Sequence, residues 1–524
     1  MNSPLTRREF LSQSTQVALA AFVLPSLSSL VYANEAAADL GHLTVPTGRE
    51  YPGLPYGIQS GDISAGRAVI WSASDRNGAR MHVEYATRSD FRNQQLLIGP
   101  RTSEHQGFAT KVLLEDLPAG EQIFYRVRYQ SPDSPTVFSP ALTGTFRTPP
   151  VKHQDVSVIL AGDTAGQNFG INPDIGGMRL YSVMAKHNPD LFIHLGDNIY
   201  ADGPITEEFR LSDGRIWRNI TTEAKTKVAE TIEEFRASWR YNLLDTNVLR
   251  FNREIPVISC WDDHEVLNNW DPAMQLDDSR YSEKNIARLA AHGRQAYLEW
   301  TPTALDAGMR DRSYRSFNYG PGLDIFRLDL RSYRQTNEIR DGKAALILGT
   351  DQTGWFKNAL RASTATWKMI ACDMPIGLII PDGADFDGVA NGDGPVRGRE
   401  HEFAEILQYI KRQQIKNVVF FTADVHYAAA HHYSPDRAVF QDFESFYEFV
   451  SGPISAVTGS GKVLDNTFGP KVLYQSRAPG SPGLSPLDGQ QYFAKVKVAQ
   501  DKRMTVELRN MADEVIFSKE LLPQ

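Results

Sequence analysis

Four apolar runs in this sequence each stop at residues of the kind that ligate metals. Val156-Ser157-Val158-Ile159-Leu160 runs into Gly162-Asp163, and the run from Asp190 to Leu195 into Gly196-Asp197-Asn198-Ile199-Tyr200. Ile255 to Ser259 leads to Trp261-Asp262-Asp263-His264-Glu265, and Val418 to Thr422 leads to Asp424-Val425-His426. As strands of an α/β sheet, these runs place the polar groups at the carboxyl edge, where such sheets bind ligands. Carboxylates crowded there repel and raise one another's pKa unless a cation sits among them. Oxygen ligands with one or two imidazoles suit Fe, Mn, Ca, Mg or Zn. Asp197 is the expected bridge between two such ions. Two ions about 3.5–4 Å apart hold a phosphoryl oxygen and activate a water for in-line attack. Each element alone says little, since Gly-Asp after a strand is ordinarily a turn and residues 262–265 read equally as a solvated loop. The ordered set of four carries the expectation.

Other residues are weighed beside these. Tyr200, three residues after Asp197, is within reach of the same ion, against the packing role of most of the 20 tyrosines. Arg331 and Arg334 read either as phosphate-binding groups or as surface arginines. His431 and His432 read as exposed histidines rather than ligands. Cys260 and Cys372 are the 2 cysteines, too few for a disulfide framework. Buried spectator thiols are the main reading for them, a bridge or ligand role the alternative. The Asp- and Gly-rich stretch from Pro381 to Glu400 is expected to form a lid that sets substrate choice.

The elements that must position these groups follow from the patterning. Residues 50–149 hold short alternating runs between turn residues, such as Ala68 to Ser72, Met81 to Tyr85 and Phe124 to Arg128. They read as a small β-sandwich with a fibronectin type III style turn at Leu117-Pro118-Ala119-Gly120. Pro149-Pro150 marks a linker. From residue 155 to 524 apolar β-rich runs alternate with helical stretches, the pattern of an α/β domain, which closes with strands at 492–496 and 504–508.

Composition sets the outer limits. A chain of 524 residues, 41% hydrophobic, can bury a large core and is too long for one ordinary domain. A net charge of -8 argues against a nucleic-acid-binding or anionic-lipid-binding surface. Thr6-Arg7-Arg8-Glu9-Phe10-Leu11 precedes an apolar stretch from Val17 to Val31 and a small-residue site at Val31-Tyr32-Ala33. That is the form of a twin-arginine export signal over residues 1–33. It implies the twin-arginine translocation machinery as a partner and a periplasmic or secreted product. No transmembrane segment is expected in the mature chain, because Pro25 and three serines interrupt a stretch already short of the roughly 20 residues a span needs.

The order Gly-Asp, Gly-Asp-x-x-Tyr, Asp-His-Glu and Asp-x-His resembles the calcineurin-like metallophosphoesterases. Trp261-Asp262-Asp263-His264-Glu265-Val266 with Asn268-Asn269-Trp270, Leu328 to Arg334, Leu348-Gly349-Thr350-Asp351-Gln352 with Trp355, and Trp367-Lys368-Met369-Ile370 narrow it. They resemble the alkaline phosphatase D (PhoD-like) family. Gly57 to Asp62 with Val69-Ile70-Trp71 resembles its amino-terminal domain. The resemblance implies a metallophosphoesterase domain preceded by a fibronectin-III-like sandwich. It also implies hydrolysis of phosphomonoesters and phosphodiesters, small-molecule or lipid, at alkaline pH, with a tyrosine-bound ferric ion beside a divalent ion such as calcium. By position, Asp163, Asp197, Tyr200 and His426 would hold iron. Asp197 would bridge to the second ion, with Asp424 and Asp263 or one of Asn268 and Asn269 beside it, and His264 near the leaving group. Two departures stand out: Asp163 occupies a slot where relatives carry cysteine, and Asp373 one where many carry histidine. A phospholipase D-type phosphodiesterase is the rival activity, and a non-catalytic envelope protein the rival class.

Overall fold

In the strand Val156–Ala161, Val158 and Leu160 point to one core and Ile159 and Ala161 to another. A two-residue period buried on both sides requires a sheet covered on both faces. The computed structural model describes residues 51–304, 312–336, 344–383 and 385–524. The export segment 1–33 and residue 50 lie outside the described residues. No helix among the described residues is long and apolar enough to cross a membrane.

Two large sheets provide the covering. The nine-stranded sheet runs from Val515–Leu521 through Met504–Asn510, Tyr492–Val498, Val156–Ala161, Leu191–His194, Val257–Ser259, Ile58–Ser64 and Arg67–Ala73 to Ala109–Leu114. The seven-stranded sheet runs from Arg315–Asn318 through Leu323–Arg327, Trp367–Ala371, Val418–Thr422, Phe446–Val450 and Ala429–Tyr433 to Pro470–Gln475. Val158, Leu160, Ile193 and Ile258 of the first meet Ile325, Met369, Phe421 and Phe449 of the second in one core. Each such side chain contributes about 1.5–3 kcal/mol on burial. Helices 179–185, 232–242, 246–254 and 286–300 cover the outer face of the nine-stranded sheet, and helices 350–362 and 400–412 that of the other. The expected α/β core is a two-sheet sandwich between helical layers.

The amino-terminal segment is less separate than its sequence implies. Four of its strands, Gln95–Arg101, Arg80–Ala86, Gln122–Gln130 and Leu142–Arg147, form their own sheet. Ile58–Ser64, Arg67–Ala73 and Ala109–Leu114 instead extend the nine-stranded sheet, with Gly61 opposite Val257 in parallel. A Cβ at Gly61 would lie 2.3 Å from the Val257 carbonyl oxygen, so glycine is what lets the strands meet. Alternation in a sequence reports that strands exist; it does not report their partners.

Candidate metal centre

Parallel strands leave their carboxyl ends on one edge, and the two sheets bring those edges together. Ligand atoms of Asp163, Asp197 and His426 lie within 4.8 Å of one another, as do those of Asp197, Asp263 and His264, and those of Asp262, Asp263 and Asp424. Asp197 belongs to the first two groups and Asp263 to the last two. Asp163, Asp197, Asp424 and His426 all have left-handed backbones, with φ of 68°, 52°, 64° and 60°. A non-glycine residue there costs roughly 1–3 kcal/mol and clusters at functional sites. Left-handed backbone thus marks the turn after three of the four strands. At Gly452 a Cβ would fall 2.2 Å from Asp163 Oδ2, so only glycine leaves that carboxylate its place.

Hydrogen bonds lock the loops to one another. Glu265 accepts from the Asn198 N–H at 2.5 Å and from the Asp262 N–H at 2.8 Å, clamping the second loop to the third. The His264 N–H donates to Asp197 Oδ1 at 3.2 Å and to Asp263 Oδ1 at 2.9 Å. The Lys225 ammonium donates to the Tyr200 carbonyl at 2.6 Å. The Tyr200 hydroxyl sits 2.8 Å from His426 Nε2. His426 Nδ1 lies 2.7 Å from the Val457 carbonyl, an acceptor, so Nδ1 carries the proton and Nε2 turns its lone pair into the cluster. The His264 ring packs on Tyr200 with centroids 4.2 Å apart and planes tilted by 31°, and its Nδ1 is 2.8 Å from Asp202 Oδ1.

The charges do not balance. Burial, reinforced by Asp262, drives the Asp163 carboxyl well above the usual range. Burial and Asp263 do the same to Asp197, and burial with Asp262 and Asp263 to Asp424. Burial and Asp197 raise the Tyr200 phenol, while burial pushes the His426 imidazole down to about 4. Against the effect of burial, Asp202 and Asp263 push His264 up to about 10. Both oxygens of Asp163 lack a hydrogen-bond partner among the described residues. Buried acids in that state are protonated or bound to a cation. A set of carboxylates, one phenol and imidazoles is the donor chemistry of hard and borderline metal ions, so the residues present fit two metal ions.

Beneath the cluster the arrangement differs from the sequence reading. Arg331 and Arg334, expected as phosphate-binding or surface groups, are buried at 0% and 3% exposure. Arg331 Nε bonds Asp262 at 2.7 Å, and its Nη2 is 2.8 Å from Asp387 and 3.7 Å from both Asp263 and Asp424. Arg334 reaches Asp387 at 3.0 Å. Both guanidiniums are held by carboxylates, which excludes the surface reading, and Arg334 Nε and Nη1 have no hydrogen-bond partner among the described residues. Asp373, fully buried, stands beside Asp262 and 3.7 Å from Arg331. Asp387 belongs to the stretch read as a lid, and residues 387–391 are packed inside. Asn268 is exposed, and its backbone N–H donates to Asp202 Oδ2 at 2.9 Å. Asn269 reaches Asp263 through its backbone, at 2.7 Å. His431 is buried against Glu448 at 2.9 Å, contrary to the exposed reading. Cys260 and Cys372 are buried and unbridged. Asp202 and Lys225 went unread in the sequence; the one available signal was the place of Asp202 two residues beyond Tyr200.

Residues 159–495 match the family model described as PhoD-like phosphatase, and residues 42–150 match its N-terminal domain. The chain belongs to the PhoD-like phosphatase family. This PhoD-like phosphatase is 26% identical over 452 residues to alkaline phosphatase D of Bacillus subtilis (strain 168), covering 81% of this chain and 72% of that protein. A solved structure of PhoD superposes with a TM-score of 0.67 at 21% identity, covering 91% and 90% of the two chains. Purple acid phosphatase PPD1 from yellow lupin (Lupinus luteus) superposes at 0.55 and 12% identity, covering 90% and 74%. The fold is therefore that of the metallophosphoesterases, and the protein is a phosphoric ester hydrolase.

Proposed function

We propose that this PhoD-like phosphatase is an exported alkaline phosphatase with phosphodiesterase activity, working at a centre of two metal ions. The observation that carries the reading is Asp197, shared between two adjoining groups of ligand atoms. Asp163, Asp197, Tyr200 and His426 would hold a ferric ion, and Asp197, Asp263 and Asp424 a divalent ion such as calcium. The bound ions would neutralise the phosphoryl oxygens and lower the pKa of the attacking water.

The side chains then divide the remaining work. Asp202 fixes the His264 ring by its Nδ1 atom, leaving Nε2 to face a leaving group. As water adds to phosphorus, the bond from phosphorus to the ester oxygen breaks, and that oxygen takes the His264 proton. Ester and water become alcohol and phosphate. Arg331 bonds Asp262, opposing the upward push that burial gives its carboxyl, and offsets the repulsion between Asp263 and Asp424. The export signal at residues 1–33 supports a periplasmic or secreted site of action.

The test begins with metal analysis of the exported protein and its visible spectrum. A charge-transfer band that disappears in Tyr200→Phe is the expected result for tyrosinate on iron. Turnover of nitrophenyl phosphate, its bis ester and phosphatidylcholine is measured side by side. Turnover confined to phosphatidylcholine would replace this reading by a phospholipase D-type one.

A further inference from the structure

Beside the metal centre lies a cavity of about 560 Å³ whose inner wall includes Tyr200, Asp202 and His264. It therefore reaches the histidine that would protonate the leaving oxygen. Its outer wall comes from the segment 267–281, where Leu267, Met274, Leu276 and Tyr281 supply an apolar surface. Met274 and Leu276 are fixed against the outer core of the nine-stranded sheet, and Tyr281 is 3% exposed. The wall is thus preformed, as in most small-molecule sites of this volume.

Apart from the amides of Gln167, Asn268 and Gln275, the polar part of the lining is mainly acidic. Asp202, Asp277 and Asp278 contribute carboxylates, and apart from His264 the cationic lining residue is Arg280. Arg280 is already committed, with Nη2 2.7 Å from Asp278 and Nη1 donating to the Asp202 carbonyl at 3.2 Å. Nothing in this lining offers a free positive charge to a second anion. An alcohol carrying a carboxylate or another phosphate would lose hydration and meet like charge.

We propose that this cavity is the leaving-group subsite, and that it selects phosphate esters of uncharged apolar alcohols, aryl or alkyl, over polar and anionic ones. The inference rests on the phosphoesterase reading above and deepens it by naming a substrate class. Specificity then resides in residues 267–281 rather than in the stretch from Pro381 to Glu400.

Steady-state kinetics on the metal-loaded protein tests it with benzyl phosphate, glycerol 3-phosphate and 4-carboxybenzyl phosphate, whose leaving alcohols are of similar acidity. The expected kcat/KM for benzyl phosphate exceeds each of the others by at least about ten-fold, within the range apolar pocket contacts provide. In Met274→Gln/Leu276→Asn the preference over glycerol 3-phosphate falls at least about five-fold. The loss is carried by KM. Should the double variant fail to fold, either single variant reads the same ratio. Equal turnover of the three esters by the parent protein, or an unchanged ratio in a folded variant, overturns the subsite. Absence of turnover of every ester overturns the phosphoesterase reading itself, a separate outcome.

Discussion

Glu84 in the four-stranded sheet and Asp163 at the carboxyl edge are both almost wholly buried, at 2% and 0% exposure. Glu84 ion-pairs with Arg126 and lies 3.4 Å from Arg128, whereas neither Asp163 oxygen has a hydrogen-bond partner among the described residues. Asp62, at the seam of the amino-terminal segment, likewise meets Arg315 at 2.5 Å. In these framework positions the chain supplies its own countercharge, and the acid is settled as soon as the fold forms. At the metal centre Arg331 serves five carboxylates at once and the sum stays negative. The difference separates charge that builds the fold from charge kept in reserve for a cation.

Three measurements can break or sharpen that contrast. Asp197→Ala is expected to lower kcat/KM for nitrophenyl phosphate by about 10³-fold or more, the scale of losing electrostatic stabilisation of the transition state. The metal-free variant should melt no lower than the metal-free parent, since one repelling carboxylate has gone; a lower melt would make Asp197 a framework acid. Glu84→Gln should do the reverse, removing about 2 kcal/mol of stability in denaturant titrations by taking the anionic partner from two half-buried arginines. The folded fraction should retain its turnover, and equal stability would show that the framework pairing counts for little.

The smallest effect concerns pH. Asp163, Asp197 and Asp424 have folded-state pKa values raised above their unfolded ones. In chelated protein these groups bind protons that the unfolded chain releases near pH 4. Their stabilising contribution is therefore present at low pH and declines as pH rises above about 4. Thermal melts with chelator should fall by a few degrees from pH 5 to pH 8, and metal loading should remove the decline. A rise over that interval in the chelated protein would contradict this charge balance.

Much of the centre was legible because acids and imidazoles follow β-rich runs directly, and a strand end needs no long-range information to be seen. Asp163, Asp197, Tyr200, Asp263, His264, Asp424 and His426 stand together in space. What escaped was set by partners distant in sequence. Arg331 lies 69 residues from Asp262 and 56 from Asp387, and nothing local distinguishes a buried, carboxylate-held guanidinium from one awaiting phosphate. Asp387 hid in a stretch whose composition reads as loop. The merging of Ile58–Ser64 with the catalytic sheet rests on one pairing with Val257, which alternation does not encode.

The strand that carries Asp163 lies between Leu191–His194 and Tyr492–Val498, with Val158 paired to Val496. During synthesis its first neighbour is made within some tens of residues, but the other edge stays open until residues 492–498 are made. Contacts of such separation are slow to form, because long loops must close before the pairing stabilises them. The turn that aims Asp163 is completed by Gly162 and Asp163 carbonyls accepting from the Ile454 N–H at 2.8 and 3.1 Å, again late in the chain. The cradle for the metals is consequently among the last parts of the molecule to exist, and an ion can be captured there only by a chain that has already assembled both sheets.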